Sequence, residues 1–211
     1  MLKVKATKWL ALCVVIALVS LMGFCVENIW LAITKGFIDN RNMTLPFLLG
    51  YGLAIATVYI LFGTPGELLI LGIPSKIKNK TAKKLIFFII MFCCVSIGEI
   101  LLGTLVEKLC GFYWWDYSRL PLHITRYTSV PTSLGFASLM YILMEYIFTP
   151  LYSYILNWDF NFLQVISPIL MISLSLDFFH SAYYMYKNKK MMPKWKVTFR
   201  HTPSYILSVR H

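Results

Sequence analysis

Leu85-Ile86-Phe87-Phe88-Ile89-Ile90-Met91-Phe92-Cys93-Cys94-Val95-Ser96-Ile97-Gly98-Glu99-Ile100-Leu101-Leu102-Gly103-Thr104-Leu105-Val106-Glu107-Lys108-Leu109 decides the fold. As a helix this run extends about 37 Å, more than the roughly 30 Å hydrocarbon core of a bilayer. Lipid offers no partner to backbone N–H and C=O groups, so a run that crosses must satisfy its own backbone as a helix. Working outward, similar runs recur at about Lys8–Ile33, Pro46–Phe62, Thr132–Thr149 and Phe162–Tyr186. The piece Glu67–Ile73 is too short to cross and is expected to be an extension or an interfacial segment.

The composition agrees. Of 211 residues, 58% are hydrophobic and only 14% charged, with a mean hydropathy of +0.67. A soluble domain carries about a quarter charged residues. The expected fold is all-α, a polytopic membrane helix bundle of about five transmembrane helices. Residues 1–186 are expected to form a single transmembrane domain and residues 187–211 a basic surface tail. The basic segment Met1–Lys8 before an apolar run resembles a signal peptide. The run is longer than a signal core and no small-x-small site closes it, so a retained first span is expected.

The net charge of +11 does not point to nucleic acid. The cations cluster in loops and the tail, beside the bilayer, where Lys and Arg set orientation and attract anionic headgroups. No nucleic-acid module is present, so the expected partner is the lipid bilayer. Cys13, Cys25, Cys93, Cys94 and Cys110 lie in or at the ends of apolar runs without metal-ligand spacing, and read as small buried hydrophobes. The Gly-Lys-Ser/Thr loop that cradles nucleotide phosphates is absent. No cofactor or resident metal is expected.

Five spans put the termini on opposite faces. Face A, holding the C-terminus, carries 12 basic residues, among them Arg200 and Arg210, against 8 on face B. The positive-inside rule then favours a cytoplasmic face A, against the vote of the basic N-terminus. Whichever way it points, polar residues converge toward A. Glu27 and Asn28 end the first span, and Asn40 and Arg41 follow it. Glu107 closes the third span, with Glu99 about 12 Å deeper. Asp177 and His180 lie late in the fifth, at i and i+3 on one helix face. Glu145 and Glu67 fall toward B.

Span carboxylates are costly, about 2.5–3.5 kcal/mol at a helix centre, and generally face a partner. Asp177 beside His180 reads as an oriented proton acceptor–donor pair or as a structural hydrogen bond. Between the third and fourth spans runs Gly111-Phe112-Tyr113-Trp114-Trp115-Asp116-Tyr117-Ser118-Arg119-Leu120-Pro121-Leu122-His123-Ile124, with neither helical nor strand period. Trp114 and Trp115 suit an interfacial aromatic belt. Asp116 and Tyr117 suggest a cap over a polar pocket shared with Glu27 and Glu107, in which Asp116 has Arg41, Arg119 and Arg126 as candidate partners.

These motifs resemble a family of small bacterial membrane proteins described as putative ABC-transporter type IV permeases. Gly23-Phe24-Cys25-Val26-Glu27 is similar to its Gly-Trp-x-x-Glu ending of the first span. Asn40-Arg41, Pro46-Phe47 and Tyr51-Gly52 resemble its Asn-Arg…Pro-Phe…Tyr-Gly stretch. Glu99, Leu105-Val106-Glu107-Lys108, Trp115-Asp116-Tyr117-Ser118 and Pro121-Leu122 resemble its Glu…Leu-Glu-Lys…Trp-Asp-Tyr-Ser…Pro-Phe block, and Asp177-Phe178 its last-span Asp. His123 stands where the family has Asn, and Phe24 where it has Trp. The resemblance spans about residues 20–186. It implies a polytopic permease component that works with a separate ATPase subunit. Two other readings stay open from the residues: an intramembrane enzyme acting on a lipid or isoprenoid, with the carboxylates as acid and base, and a non-catalytic sensor or partner subunit whose basic tail makes the contacts.

Overall fold

A computed structural model of the chain describes residues 2–192 and 194–199; Arg200 and Arg210 lie outside the described residues. Five helices carry the fold: α1 (Leu2–Lys35), α2 (Leu49–Phe62), α3 (Lys80–Cys110), α4 (Val130–Leu156) and α5 (Phe160–Asn188). All but α2 are long and apolar enough to cross a bilayer. This is a polytopic α-helical membrane bundle. Over its most apolar stretch α1 is 56% buried, against 17–22% for the other three long helices. It is the axis of the bundle, and the outer helices turn Leu101, Ile172 and Leu176 outward, as lipid-facing residues should be.

Local chemistry sets the helix ends. Asn79 caps α3 by accepting from the Thr81 and Ala82 N–H groups at 2.9 and 3.1 Å. Gly111, left-handed at φ +75°, closes it. Ser129 and Thr132 form a reciprocal capping box on α4, with Pro131 in the first turn. Asp159 caps α5 through the Asn161 and Phe162 N–H groups. Within α4, residues Leu143–Phe148 widen into a π-turn. Pro150 follows and has no N–H for the helix ladder, and the widened turn absorbs that break.

Two departures from the sequence reading concern the second span. It was expected to begin near Pro46, but α2 begins only at Leu49 and its 14 residues rise about 21 Å. Before it the chain is not helical. The Leu48 N–H donates to the Ser20 carbonyl at 2.9 Å, and Ser20 lies midway along α1. Residues 40–48 therefore descend beside α1 to mid-bundle before the helix starts. Gly52 permits the close α1–α2 contact, because a Cβ there would come within 2.2 Å of the Ile16 carbonyl oxygen. The expected extension after α2 is a tight hairpin, β2 (Leu69–Ile70) with β3 (Ile73–Pro74). Its turn residues Leu71 and Gly72 both have positive φ, as two-residue hairpin turns demand.

Two further ribbons lie at the other end. β1 (Phe37–Asp39) pairs antiparallel with β6 (Lys196–Thr198), joining the segment after α1 to the segment after α5. β4 (His123–Thr125) pairs with β5 (Thr128–Ser129) in the loop before α4. Toward face B, Lys84 and Glu145 form an ion pair between α3 and α4.

Candidate functional site

The residues singled out from the sequence fall into three hydrogen-bonded groups. The first surrounds the unwound segment between α1 and α2. Arg41 and Asn42 take left-handed φ values of +47° and +65°, a turn that sends the Arg41 side chain back over α1. Its Nε donates to the Glu27 carboxylate at 2.6 Å, with a second guanidinium nitrogen on the same oxygen. The Tyr51 hydroxyl donates to the other Glu27 oxygen at 2.5 Å. Asp39 accepts the Arg41 N–H at 2.8 Å and lies 3.6 Å from the guanidinium. Gly23 makes room for Tyr51, since a Cβ there would sit 2.8 Å from its ring.

Amide side chains and one carboxylate serve this segment's backbone. Asn28 accepts the Asp39 N–H at 2.8 Å. Asn40 donates to the Met43 and Met192 carbonyls at 2.9 and 3.0 Å and accepts the Lys194 N–H at 3.1 Å. Asn42 accepts the Met192 N–H and donates to the Met185 sulfur. Asp177 of α5, 8% exposed, accepts the Thr44 and Leu45 N–H groups, each at 2.9 Å. The expected pairing of Asp177 with His180 does not form. The carboxylate is directed inward to the unwound backbone, while His180 is exposed. Three residues along a helix span about 60° of rotation, enough to separate an inner from an outer side chain.

The second group lies on α3. Glu99, Gly103 and Glu107 share one face at four-residue spacing. Glu99 accepts from the Thr128 hydroxyl at 2.6 Å and lies 3.5 Å from the Ser133 hydroxyl, and these two hydroxyls are 2.8 Å apart. This sets the carboxylate at the positive N-terminal end of α4. The Tyr127 hydroxyl donates to Glu107. Gly103 lets the Tyr127 ring lie flat on α3: a Cβ there would be 2.3 Å from the ring.

The third group is the aromatic loop. The Trp115 indole N–H donates to the Tyr127 carbonyl at 2.8 Å, and the two rings meet edge to face at 6.3 Å. Trp115 is therefore part of the packing on α3 as well as an interfacial ring. Asp116 overturns the expectation made for it. It is exposed and accepts the Ser118 N–H at 2.8 Å, an Asx turn. That bond first, and then Arg126 and Arg119, hold its carboxyl below the usual carboxylate range. Arg41 is engaged by Glu27, and Arg126 stacks over the Tyr113 ring at 4.3 Å. The inward residue of the loop is Tyr117. Burial, then Glu99, then Glu27 push its phenol up to about 12, so it is within electrostatic reach of carboxylates on both α1 and α3. Among the described residues, no three His, Cys, Asp or Glu side chains converge as metal ligands.

Sequence reasoning missed Thr128, Tyr127, Gly103 and Asn42, and placed Tyr51 in a motif without a role in the site. The Glu-x3-Gly-x3-Glu spacing of Glu99, Gly103 and Glu107 was the available signal for a ring packed between two carboxylates. No sequence signal marked Thr128.

A membrane bundle with hydrogen-bonded carboxylates on α1, α3 and α5 defines a class of polytopic helical proteins. The family described as putative ABC-transporter type IV matches residues 14–182, and the chain belongs to that family. Comparisons with curated proteins and with solved structures gave no match.

Proposed function

We propose that the chain is the membrane-embedded subunit of an ABC-type transport system in the cell membrane. A separate ATPase subunit drives it, and the face-A polar residues bound one site. The observation that carries this reading is the unwound segment of residues 40–48, beside the middle of α1, with its backbone donors held by Asp177 and the Ser20 carbonyl. Non-helical backbone at membrane depth is tolerated where protein or a water-filled path satisfies it. Transporters build binding sites at such discontinuities. Tyr117, influenced by both Glu99 and Glu27, supports treating the groups around it as one site. Glu27, Arg41, Glu99, Asp177 and Tyr117 are its principal members. Glu107, Trp115 and Asn28 hold their surroundings, and Asp116, Arg126 and His180 are peripheral.

Co-purification of the tagged full-length chain in mild detergent tests this. The expected result is a soluble subunit with a nucleotide site and ATP hydrolysis by the purified complex. A folded chain that purifies alone, or a complex that hydrolyses no ATP, overturns it.

A further inference from the structure

The three carboxylates toward face B have different fates. Glu145 pairs with Lys84, and Asp159 caps α5. The Glu67 carboxylate forms no hydrogen bond or ion pair among the described residues, although that face carries eight lysines. It lines instead a cleft of about 230 Å³ at the C-terminal end of α2, with Tyr59, Ile60, Gly63, Thr64 and Leu69. The cleft is smaller than the roughly 300–1,000 Å³ of sites for drug-sized ligands, so it suits a ligand of a few heavy atoms.

The chain builds this cleft rigidly. Thr64 and Glu67 exchange both backbone hydrogen bonds, at 3.3 and 3.1 Å, across a turn made by Pro65 and Gly66. Proline pre-sets the turn's φ, and residues paired in this way put their side chains on one face. The Glu67 N–H also donates to the Thr64 hydroxyl oxygen at 3.2 Å, which leaves that oxygen a second lone pair. Gly63, at φ +71°, admits the turn, because a Cβ there would meet the Glu67 carbonyl oxygen at 2.2 Å. One helical turn earlier, the Tyr59 carbonyl accepts the Gly63 N–H at 3.0 Å. The Tyr59 ring is held by Phe148 and Tyr152, at 4.6 and 5.5 Å between centroids. Its hydroxyl has no hydrogen-bond partner among the described residues. A carboxylate, a threonine hydroxyl and a phenol therefore line one small cleft with acceptor capacity unused.

We propose that this cleft binds a small primary amine in its ammonium form, with the Glu67 carboxylate, Thr64 Oγ1 and the Tyr59 hydroxyl each accepting one of its three N–H bonds. Ile60 and Leu69 supply the apolar wall for its short alkyl part. A primary ammonium has three donors and no acceptor, which matches three oxygens with room to accept. A quaternary ammonium has no N–H to give. Calcium and magnesium take six or more oxygen ligands, more than these three side chains offer. Two sources carry the group: a soluble amine, and the ethanolamine headgroup of a phospholipid in the face-B leaflet. The assignment stands on the cleft at face B, so it does not depend on the transport reading.

The test titrates the full chain with radiolabelled ethanolamine at fixed ionic strength, after exchange of co-purified lipid into phosphatidylcholine nanodiscs. Saturable binding is expected, displaced by methylamine and not by tetramethylammonium or sodium. Glu67→Gln removes the charge of an exposed side chain and should weaken binding about tenfold, with an unchanged midpoint of thermal unfolding. Tyr59→Phe keeps the ring and should weaken it about threefold. A second arm replaces part of the phosphatidylcholine with phosphatidylethanolamine. Apparent affinity for ethanolamine that falls as phosphatidylethanolamine rises identifies the lipid headgroup as the ligand, and an unchanged affinity identifies a soluble amine. Absence of saturable binding, displacement by tetramethylammonium or sodium as effective as by methylamine, or native affinity in Glu67→Gln overturns the proposal.

Discussion

Asp177→Asn is the sharpest perturbation of the unwound segment. In the native chain the carboxylate accepts the Thr44 N–H at 2.9 and 3.1 Å on its two oxygens and the Leu45 N–H at 2.9 Å. A hydrogen bond to a charged group contributes about 1.5–3 kcal/mol. The carboxamide keeps one acceptor oxygen and turns N–H donors toward a position that needs an acceptor. One charge-assisted bond is lost and the other becomes neutral, a local cost of about 2 kcal/mol. Converted to an opening equilibrium, that is roughly 30-fold. Hydrogen–deuterium exchange on peptides covering residues 40–48 reads it directly, because local opening sets the exchange of protected amides. These peptides should exchange roughly 30-fold faster in Asp177→Asn, while peptides from the middle of α1 stay unchanged. His180→Ala is the control: it removes an exposed side chain, for which a change within about 0.5 kcal/mol is expected. If residues 40–48 exchange at the native rate in Asp177→Asn, or if His180→Ala accelerates them equally, the role given to Asp177 is wrong.

Two further outcomes follow from the α3 face. Gly103→Ala puts a methyl 2.3 Å from the Tyr127 ring; the ring must shift and its bond to Glu107 weakens. Overpacking of this kind costs about 1–3 kcal/mol, visible as a lower midpoint of thermal unfolding in detergent, and an unchanged midpoint refutes the contact. For Tyr117 the sign is fixed by its folded value of about 12 against about 10 in an unfolded chain. The folded state keeps the proton longer, so the neutral phenol's contribution is complete below pH 10 and is lost as pH rises toward 12. In phenolate absorbance titrations, the step missing from Tyr117→Phe should lie near pH 12. A missing step near pH 10 would mean that the phenol is neither buried nor under the influence of Glu99 and Glu27.

How much of this was legible in the sequence depends on which signal each residue carried. The long helices were legible because an apolar run of membrane length has few alternatives as backbone, and their ends carry cap residues such as Asn79, Ser129 and Asp159. The start of α2 was not. Pro46-Phe47-Leu48 is as apolar as the helix that follows it, and hydropathy does not report that the Leu48 N–H goes to Ser20. The site residues divide in the same way. Glu27 with Arg41 and Glu99 as a half-buried, hydrogen-bonded carboxylate could be anticipated from the cost of a charge within a span. Asp116 and His180 misled because spacing shows which residues are near one another, not which way a side chain turns. Asp116 is captured by the N–H two residues on and stays exposed, and its neighbour Tyr117 takes the inward position instead.

The unwound segment explains why the polar residues lie where they do. A helix needs no side chain to satisfy its interior, whereas residues 40–48 present backbone donors at a depth where water is scarce. The Met43 and Phe47 N–H groups find the Asn40 and Leu45 carbonyls within the segment, and others draw on neighbouring elements: Asp177 from α5 for Thr44 and Leu45, and the Ser20 carbonyl from α1 for Leu48. Asn28 does the same for Asp39 just above. Arg41 adds the cation that lets Glu27 and Asp39 lie close together. An apolar replacement at Asp177 would therefore leave two inward N–H groups unpaired, at about 1–3 kcal/mol each. Refolding this stretch as a continuous helix would remove the demand for Asp177 and Asn28 together. The break between α1 and α2 is the feature that Asp177 and Asn28 hold through their bonds to its backbone.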